Sequence, residues 1–401
     1  MRTPAFLLAV VLVAIAHVSA AAAASAAPKC RKLALRQEWR TLAPEHQEAW
    51  LAGVKCLASI RHQRLSFTAQ GERLPGAHSL YDDFAFTHNA LDHSAHQNAY
   101  FLPWHRWFVH LFDTSLREKC GYTGPTPYWD WTLDVAALAA SPIFSAHPTR
   151  GLGTTGDCTD ATTDCLVRDG ALAAPASGFA LSYPVPHGLR RNLSLFPEAE
   201  NDPAPAPAPA TDPAAPPSPR PRARELERRA LEMPINTTLT PTRVAAALRD
   251  SAPGDFFRFQ YRMTQAHNRV HEFVGGDMDA ECPAVVPEPQ CTGSYSSNDP
   301  VFWLHHTQLD RLWSTWQAAH PANARAFSGV PLHTHNASDP RYDAAASAQH
   351  VLAFDRLSVG VPVYETFDHA APPFCYEYPP YAYPTPADRD ADTDAEALRS
   401  E

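Results

Sequence analysis

Beyond its first two dozen residues, the 401-residue chain has no apolar run long enough to cross a bilayer. It also lacks a basic excess: 33 Lys and Arg stand against 43 Asp and Glu, a formal net charge of -10. The clustered cations that release counterions from nucleic acid are therefore missing. No internal repeat is evident, and alternating strand patterns are few. With 45% hydrophobic and 19% charged residues the chain is neither a disordered tract nor a small disulfide knot. A globular protein with a sizeable core, and with no nucleic-acid or membrane partner, is expected.

The chain opens with Arg2, an apolar run from Ala5 to Ala16, and small residues ending in Ala24-Ser25-Ala26. This pattern predicts a secretory signal peptide over residues 1–26, with Val18-Ser19-Ala20 as a second cleavage site. A membrane anchor is the weaker reading, because the apolar block is short and no basic stop-transfer flank follows. The eight cysteines are an even number, so in a secreted protein disulfides are the default. Cys158 with Cys165 and Cys282 with Cys291 each close a short loop, while spacing leaves the pairing of Cys30, Cys56, Cys120 and Cys375 open. Asn192, Asn236 and Asn336 begin N-glycosylation sequons.

Nine prolines between Ala199 and Arg222, alternating with alanine over 203–209, exclude a helix or a strand ladder there. Chemistry-bearing residues lie on both sides, so the stretch reads as an insertion in one domain spanning 27–383. The arginines that follow (Arg220, Arg222, Arg224, Arg228, Arg229) read as a solvated segment, with a protease-sensitive site as the alternative. Residues 384–401 alternate acidic residues with others and read as a disordered tail.

Histidine is the compositional outlier, at 20 residues. One cluster holds His88, His93, His96 and His105. Pro103 suits the first turn of a helix on which Phe101, His105, Val109, Phe112 and Leu116 form one inward stripe. In the second half, Phe259, Met263, His267 and His271 follow at four-residue steps, which carries two imidazoles one turn apart into the core. A further helix starts near Asn298-Asp299-Pro300 and carries His305 and His306, both with helical neighbours that suit burial. These patterns predict a mainly α fold: a helix bundle holding metal between facing helices, with long loops and few short strands. Di-iron bundles supply Glu and Glu-x-x-His ligands, whereas these clusters are imidazole-only, which fits copper best.

Asn298-Asp299-Pro300-x-Phe302-x-x-His305-His306-x-x-x-Asp310-Arg311 and Phe101-Leu102-Pro103-Trp104-His105-Arg106 resemble the two metal signatures of the type-3 copper family of tyrosinases, catechol oxidases and hemocyanins, notably its short secreted fungal polyphenol oxidases. The resemblance runs from about Tyr81 to Trp316. It implies a dinuclear site of two copper ions, the first held by His88, His96 and His105, the second by His267, His271 and His306. The family ligand is the second His of the pair, four residues before the Asp, which selects His306 over His305. Asp310 is then expected to steady the helix or an imidazole N–H, Phe302 to pack over the site, and Tyr376-Glu377-Tyr378 to close the catalytic core.

The resemblance further implies an oxidoreductase that uses dioxygen to oxidise o-diphenols to o-quinones, with a small phenol or catechol and O2 as partners, secreted from the cell. A hemocyanin-like oxygen binder without turnover is the alternative. Two departures bear on this reading. Ser94 stands where many relatives carry a cysteine cross-linked to the middle first-copper ligand. Asn268 matches members that hydroxylate monophenols, yet Arg258 replaces the Glu expected about nine residues before His267. Monophenol (tyrosinase) hydroxylation therefore depends on a substitute carboxylate such as Asp255 or Glu272. The loop from Gly275 to Ser297 is expected either to set access to the site or to be a surface loop stapled by Cys282 and Cys291.

Overall fold

The structure is a computed structural model that describes residues 29–62, 78–158, 162–173, 177–195, 234–279, 281, 283–284, 294–331 and 345–382. The predicted signal peptide, the Pro-rich insertion and its arginines, Cys282, Cys291, Asn336 and the acidic stretch 384–401 lie outside them. The described chain is mainly α, as the sequence predicts. Its helices are α1 (Pro44–Ser59), α2 (Leu80–Ala90), α3 (Asp92–Ala95), α4 (Phe101–Cys120), α5 (Pro241–Arg249), α6 (Phe256–Val274) and α7 (Val301–Ala319). None of these is long and apolar enough to cross a membrane.

The helix ends follow from local chemistry. Ser79 and Asp82 form a reciprocal capping box at the start of α2. Pro44 and Pro241 occupy first-turn positions of α1 and α5, where a missing N–H costs nothing. Asp255 accepts from the Arg258 N–H to begin α6. At the other end of α6, Gly275 adopts φ +60°, a conformation other residues rarely take, and turns the chain back over the last helical turn.

Strands of two residues close the edges. β1 (Ala34–Leu35) runs parallel to β6 (Tyr376–Glu377), β2 (Gln37–Glu38) parallel to β3 (Pro127–Tyr128), and β4 (Val351–Leu352) antiparallel to β5 (Val361–Pro362). Two disulfides settle the pairing that spacing left open: Cys30–Cys375 fastens β1 beside β6, and Cys56–Cys120 ties the ends of α1 and α4. Cys158–Cys165 forms as its spacing predicts. Of the sequons, Asn236 is buried and its amide donates to the Val135 carbonyl at 2.8 Å, so the folded chain has no room for a sugar there.

Helices α4 and α7 pack face to face at the centre, with α1, α2, α5 and α6 around them. The seam is aromatic. Phe112 stacks on Trp303 with centroids 3.7 Å apart, Phe84 and Phe108 pack around Trp303, and Phe259 stacks on Trp316 to bring α6 against α7. A carboxylate is buried within this apolar seam. Asp310 on α7 accepts from Arg106 of α4, from Arg36 at 2.9 Å, and from the hydroxyls of Tyr376 and Tyr378 at 2.5 Å each. Arg106 also lies over the Trp313 ring and donates to Ser314, Gln317 and the Thr366 carbonyl.

Burial alone would raise the Asp310 carboxyl. The Arg106 and Arg36 charges, with the two tyrosine hydroxyls, outweigh it and hold it down at about 2. A depressed carboxyl stabilises the fold above the ordinary carboxylate range, and that contribution is lost as pH falls through about 2. Asp310→Ala would leave two guanidinium groups buried without their counter-charge, a loss of about 3–5 kcal/mol. Denaturant unfolding of the variant at neutral pH checks this, and a loss under about 1 kcal/mol would refute the assigned role.

Candidate metal centre

Of the histidines singled out in the sequence, all but the exposed His93 reach the space between α4, α6 and α7. His88 sits in the last turn of α2, His96 just after α3, and His105 one turn into α4. The ring nitrogens of these three lie within 4.8 Å of one another. His267 and His271 project one turn apart from α6, and with His305 and His306 of α7 they make a second group within the same 4.8 Å limit. The groups face each other: His105 stacks on His306 with centroids 4.2 Å apart and planes 13° apart, and His96 lies 6.2 Å from His267.

Five of the rings have a partner at Nδ1, while both ring nitrogens of His305 and His306 are buried with none. His88 Nδ1 donates to the Ser294 carbonyl, His105 Nδ1 to the Phe101 carbonyl at 2.8 Å, and His271 Nδ1 to the Met278 carbonyl at 2.6 Å. His267 Nδ1 meets Asn268 Oδ1 at 2.9 Å, and His96 Nδ1 meets Asp92 Oδ1 at 2.8 Å. A carbonyl only accepts, so Nδ1 carries the proton in His88, His105 and His271, and Nε2 is left as a bare lone pair. His88 Nε2 and His105 Nε2 then face each other at 3.3 Å, two acceptors with no proton between them. The Nε2 atoms of His267, His271 and His306 are buried with no hydrogen-bond partner.

Buried lone pairs converging without donors form a site that a cation completes. Burial, reinforced by neighbouring imidazoles, pushes His88, His105, His267, His305 and His306 well below the ordinary histidine range, and burial holds His271 down at about 4. The rings are therefore neutral near pH 7, the form that binds metal. No carboxylate belongs to either group, so the donor set is nitrogen-only and fits copper.

Phe302 lies 4.1 Å from the His306 ring and 4.9 Å from that of His88 by centroid. Of the two alternatives for Asp310, its hydrogen bonds to arginine and tyrosine steady α7 against α4. Tyr376 and Tyr378 owe their place to that carboxylate. Arg258 and Ser94 are exposed. Of the substitute carboxylates, Asp255 is spent on capping α6 and Glu272 pairs with Arg269 at 2.5 Å.

Asp92 and Ser294 escaped the sequence reading, and His305, which that reading weighed against His306, joins the second group. His305 is fully buried within the second group with neither ring nitrogen hydrogen-bonded. Its proximity to His306 hinted at this, but helical neighbours alone did not decide it. Asp92 and Ser294 reach imidazoles by local turns and a long-range contact that no periodicity announces. The described ends of the Gly275–Ser297 loop supply Met278 and Ser294, so this loop holds imidazole N–H groups.

Comparison with known proteins agrees with this architecture. Residues 78–319 match the family model described as the common central domain of tyrosinase. A tyrosinase-like protein, phomQ1, of Diaporthe leptostromiformis is 31% identical over 366 residues, covering 87% of this chain and 78% of its own. Tyrosinase P of Aspergillus terreus is 30% identical over 88% of this chain and 94% of its own. An N-acetyl-6-hydroxytryptophan oxidase of Emericella nidulans is also 30% identical, over 86% and 92%. Among solved structures, a polyphenol oxidase variant from Thermothelomyces thermophila shares the fold, with a TM-score of 0.58 at 22% identity over 86% of this chain and 89% of that one.

Buried neutral imidazoles make the metal-free protein acid-sensitive. The unfolded chain takes up protons below about 6.5, while His271 in the folded chain does so only near 4, so stability falls as pH drops through that window. Each such imidazole adds about 1.4 kcal/mol per pH unit to the slope. Melting of the metal-free protein should be flat above pH 7 and decline steeply from 6.5 to 4. A flat profile across that range would contradict the buried neutral set.

Proposed function

Because the chain belongs to the tyrosinase family, and is thereby an oxidoreductase of the polyphenol-oxidase type, we propose that it is a two-copper enzyme that uses dioxygen to oxidise o-diphenols to o-quinones. The observation that carries this reading is the pair of imidazole-only groups facing each other across the α4–α7 seam. His88, His96 and His105 would hold one copper, and His267, His271 and His306 the other. His306 is favoured over His305 because its ring stacks on His105 of the opposite group, whereas the His305 ring meets His267, His271 and His306 of its own. Copper supplies the one-electron redox change and the affinity for dioxygen.

The chain's own residues supply everything else. Carbonyls of Phe101, Met278 and Ser294 fix which nitrogen each ring presents, so no ring must turn when a substrate arrives. Phe302 and Trp104 pack against the imidazoles and exclude water from their inner side. The Asn268 amide oxygen, accepting from His267, holds the ring on the more open side of the second group.

Diphenol oxidation is favoured over monophenol hydroxylation by the fate of the nearby acids. A monophenol must be deprotonated as it arrives, and the two carboxylates weighed for that role are engaged: Asp255 caps α6 and Glu272 is paired with Arg269, while an exposed Arg258 stands where the Glu is expected. Secretion is part of the same reading, supported by disulfides that persist in an oxidising compartment.

Dioxygen uptake by the copper-loaded protein tests this. A simple catechol should give sustained uptake and quinone colour, both falling to background in His306→Ala. The corresponding monophenol should turn over at least about a hundredfold more slowly, the usual worth of a positioned base. Copper binding with no sustained uptake would instead favour an oxygen carrier.

A further inference from the structure

His96 is held differently from the other five proposed ligands. It follows the four-residue α3 rather than lying within a long helix, and its side chain is 18% exposed while the others are buried. Packing therefore restrains it least, and Ser94 offers no covalent tether. It is also the only one of the six whose Nδ1 meets a carboxylate: Asp92 Oδ1 at 2.8 Å, with the Asp92 backbone carbonyl at 3.2 Å. The same Oδ1 accepts from the Ser294 hydroxyl at 2.5 Å. Asp92 Oδ2 faces only the exposed His93, at 3.9 Å.

Ser294 uses every polar group it has here. Its N–H donates to Asn89 Oδ1 at 2.9 Å, its hydroxyl to Asp92, and its carbonyl accepts from His88 Nδ1. One residue at the end of a long loop thus touches the partner of His96, the neighbour of His88, and His88 itself.

We propose that Asp92 and Ser294 form a positioning clamp that fixes the Nδ1–H tautomer of His96 and aims its Nε2 into the first metal site, in register with His88. The inference rests on the two-copper reading. A carboxylate behind a ligating imidazole orients the ring and raises its basicity, and loss of such a partner typically weakens metal binding 10- to 100-fold. Asp92→Asn keeps an oxygen acceptor in place and removes the charge, so it should fall between wild type and Asp92→Ala. Ser294→Ala loosens the carboxylate and should weaken binding less than Asp92→Ala.

The test is a copper competition titration of the metal-free protein, run in wild type and in a His267→Ala background that leaves only the first site intact. Nitrogen NMR of the metal-free protein reads the His96 tautomer alongside. The clamp predicts that Asp92→Ala weakens first-site copper about 10- to 100-fold and leaves the second site unchanged. It also predicts that His96 leaves its single Nδ1–H tautomer and that Asp92→Asn partly restores both. Wild-type affinity at both sites with an unchanged His96 signal would overturn the clamp alone. Equal weakening of both sites would mark general loosening and overturn it too. A wild-type chain that takes up no copper would sink the two-copper reading along with it.

Discussion

A carboxylate buried in an aromatic seam is tolerable only if cations and donors surround it, and Asp310 gathers them from distant parts of the chain: Arg36 before β2, Arg106 in α4, and Tyr376 and Tyr378 at β6. Its place matters for chemistry. His306 lies one turn before Asp310, and His105 immediately precedes Arg106, so the ion pair sets the depth at which the two facing imidazoles meet. Two further buried pairs hold α7: Arg191 grips Asp299 at its start through two hydrogen bonds, and Arg311 reaches Asp130 at 2.7 Å. Hydrophobic packing brings the helices together, and these directional bonds decide their register.

Much of this was legible in the sequence. Helical periodicity placed His105 on the stripe with Phe101, Val109 and Phe112, and His267 and His271 on the stripe with Phe259 and Met263, and all of these side chains are buried. The histidines of both halves duly converge. What periodicity cannot show is where a side chain's second hydrogen bond goes. Asp310 and Arg311 are adjacent in the chain, yet Asp310 bonds to arginines on two other segments and Arg311 turns to Asp130. Asp92 and Ser294 were invisible for the same reason, being about two hundred residues apart in the chain and joined only by the fold. The pairing of Cys30 with Cys375 is likewise a property of the β1–β6 contact, not of spacing.

The site is best understood as a set of neutral imidazoles held neutral by burial and held still by backbone carbonyls. Such a set binds a soft-to-intermediate cation without adding protein charge, and it leaves redox behaviour to the metal. Among the described residues, Asp255, Glu272 and Asp92 are engaged with a helix cap, an arginine and an imidazole N–H. On the reading proposed above, a substrate that coordinates readily and gives up its protons easily, such as an o-diphenol, would suit this arrangement.

Anomalous diffraction at the copper edge, from crystals of the copper-loaded protein, bears most directly on the central claim. The account predicts two peaks, one enclosed by His88, His96 and His105 and the other by His267, His271 and His306, each approached through Nε2. A single peak, or a second ion bound by His305 in place of His306, would contradict it.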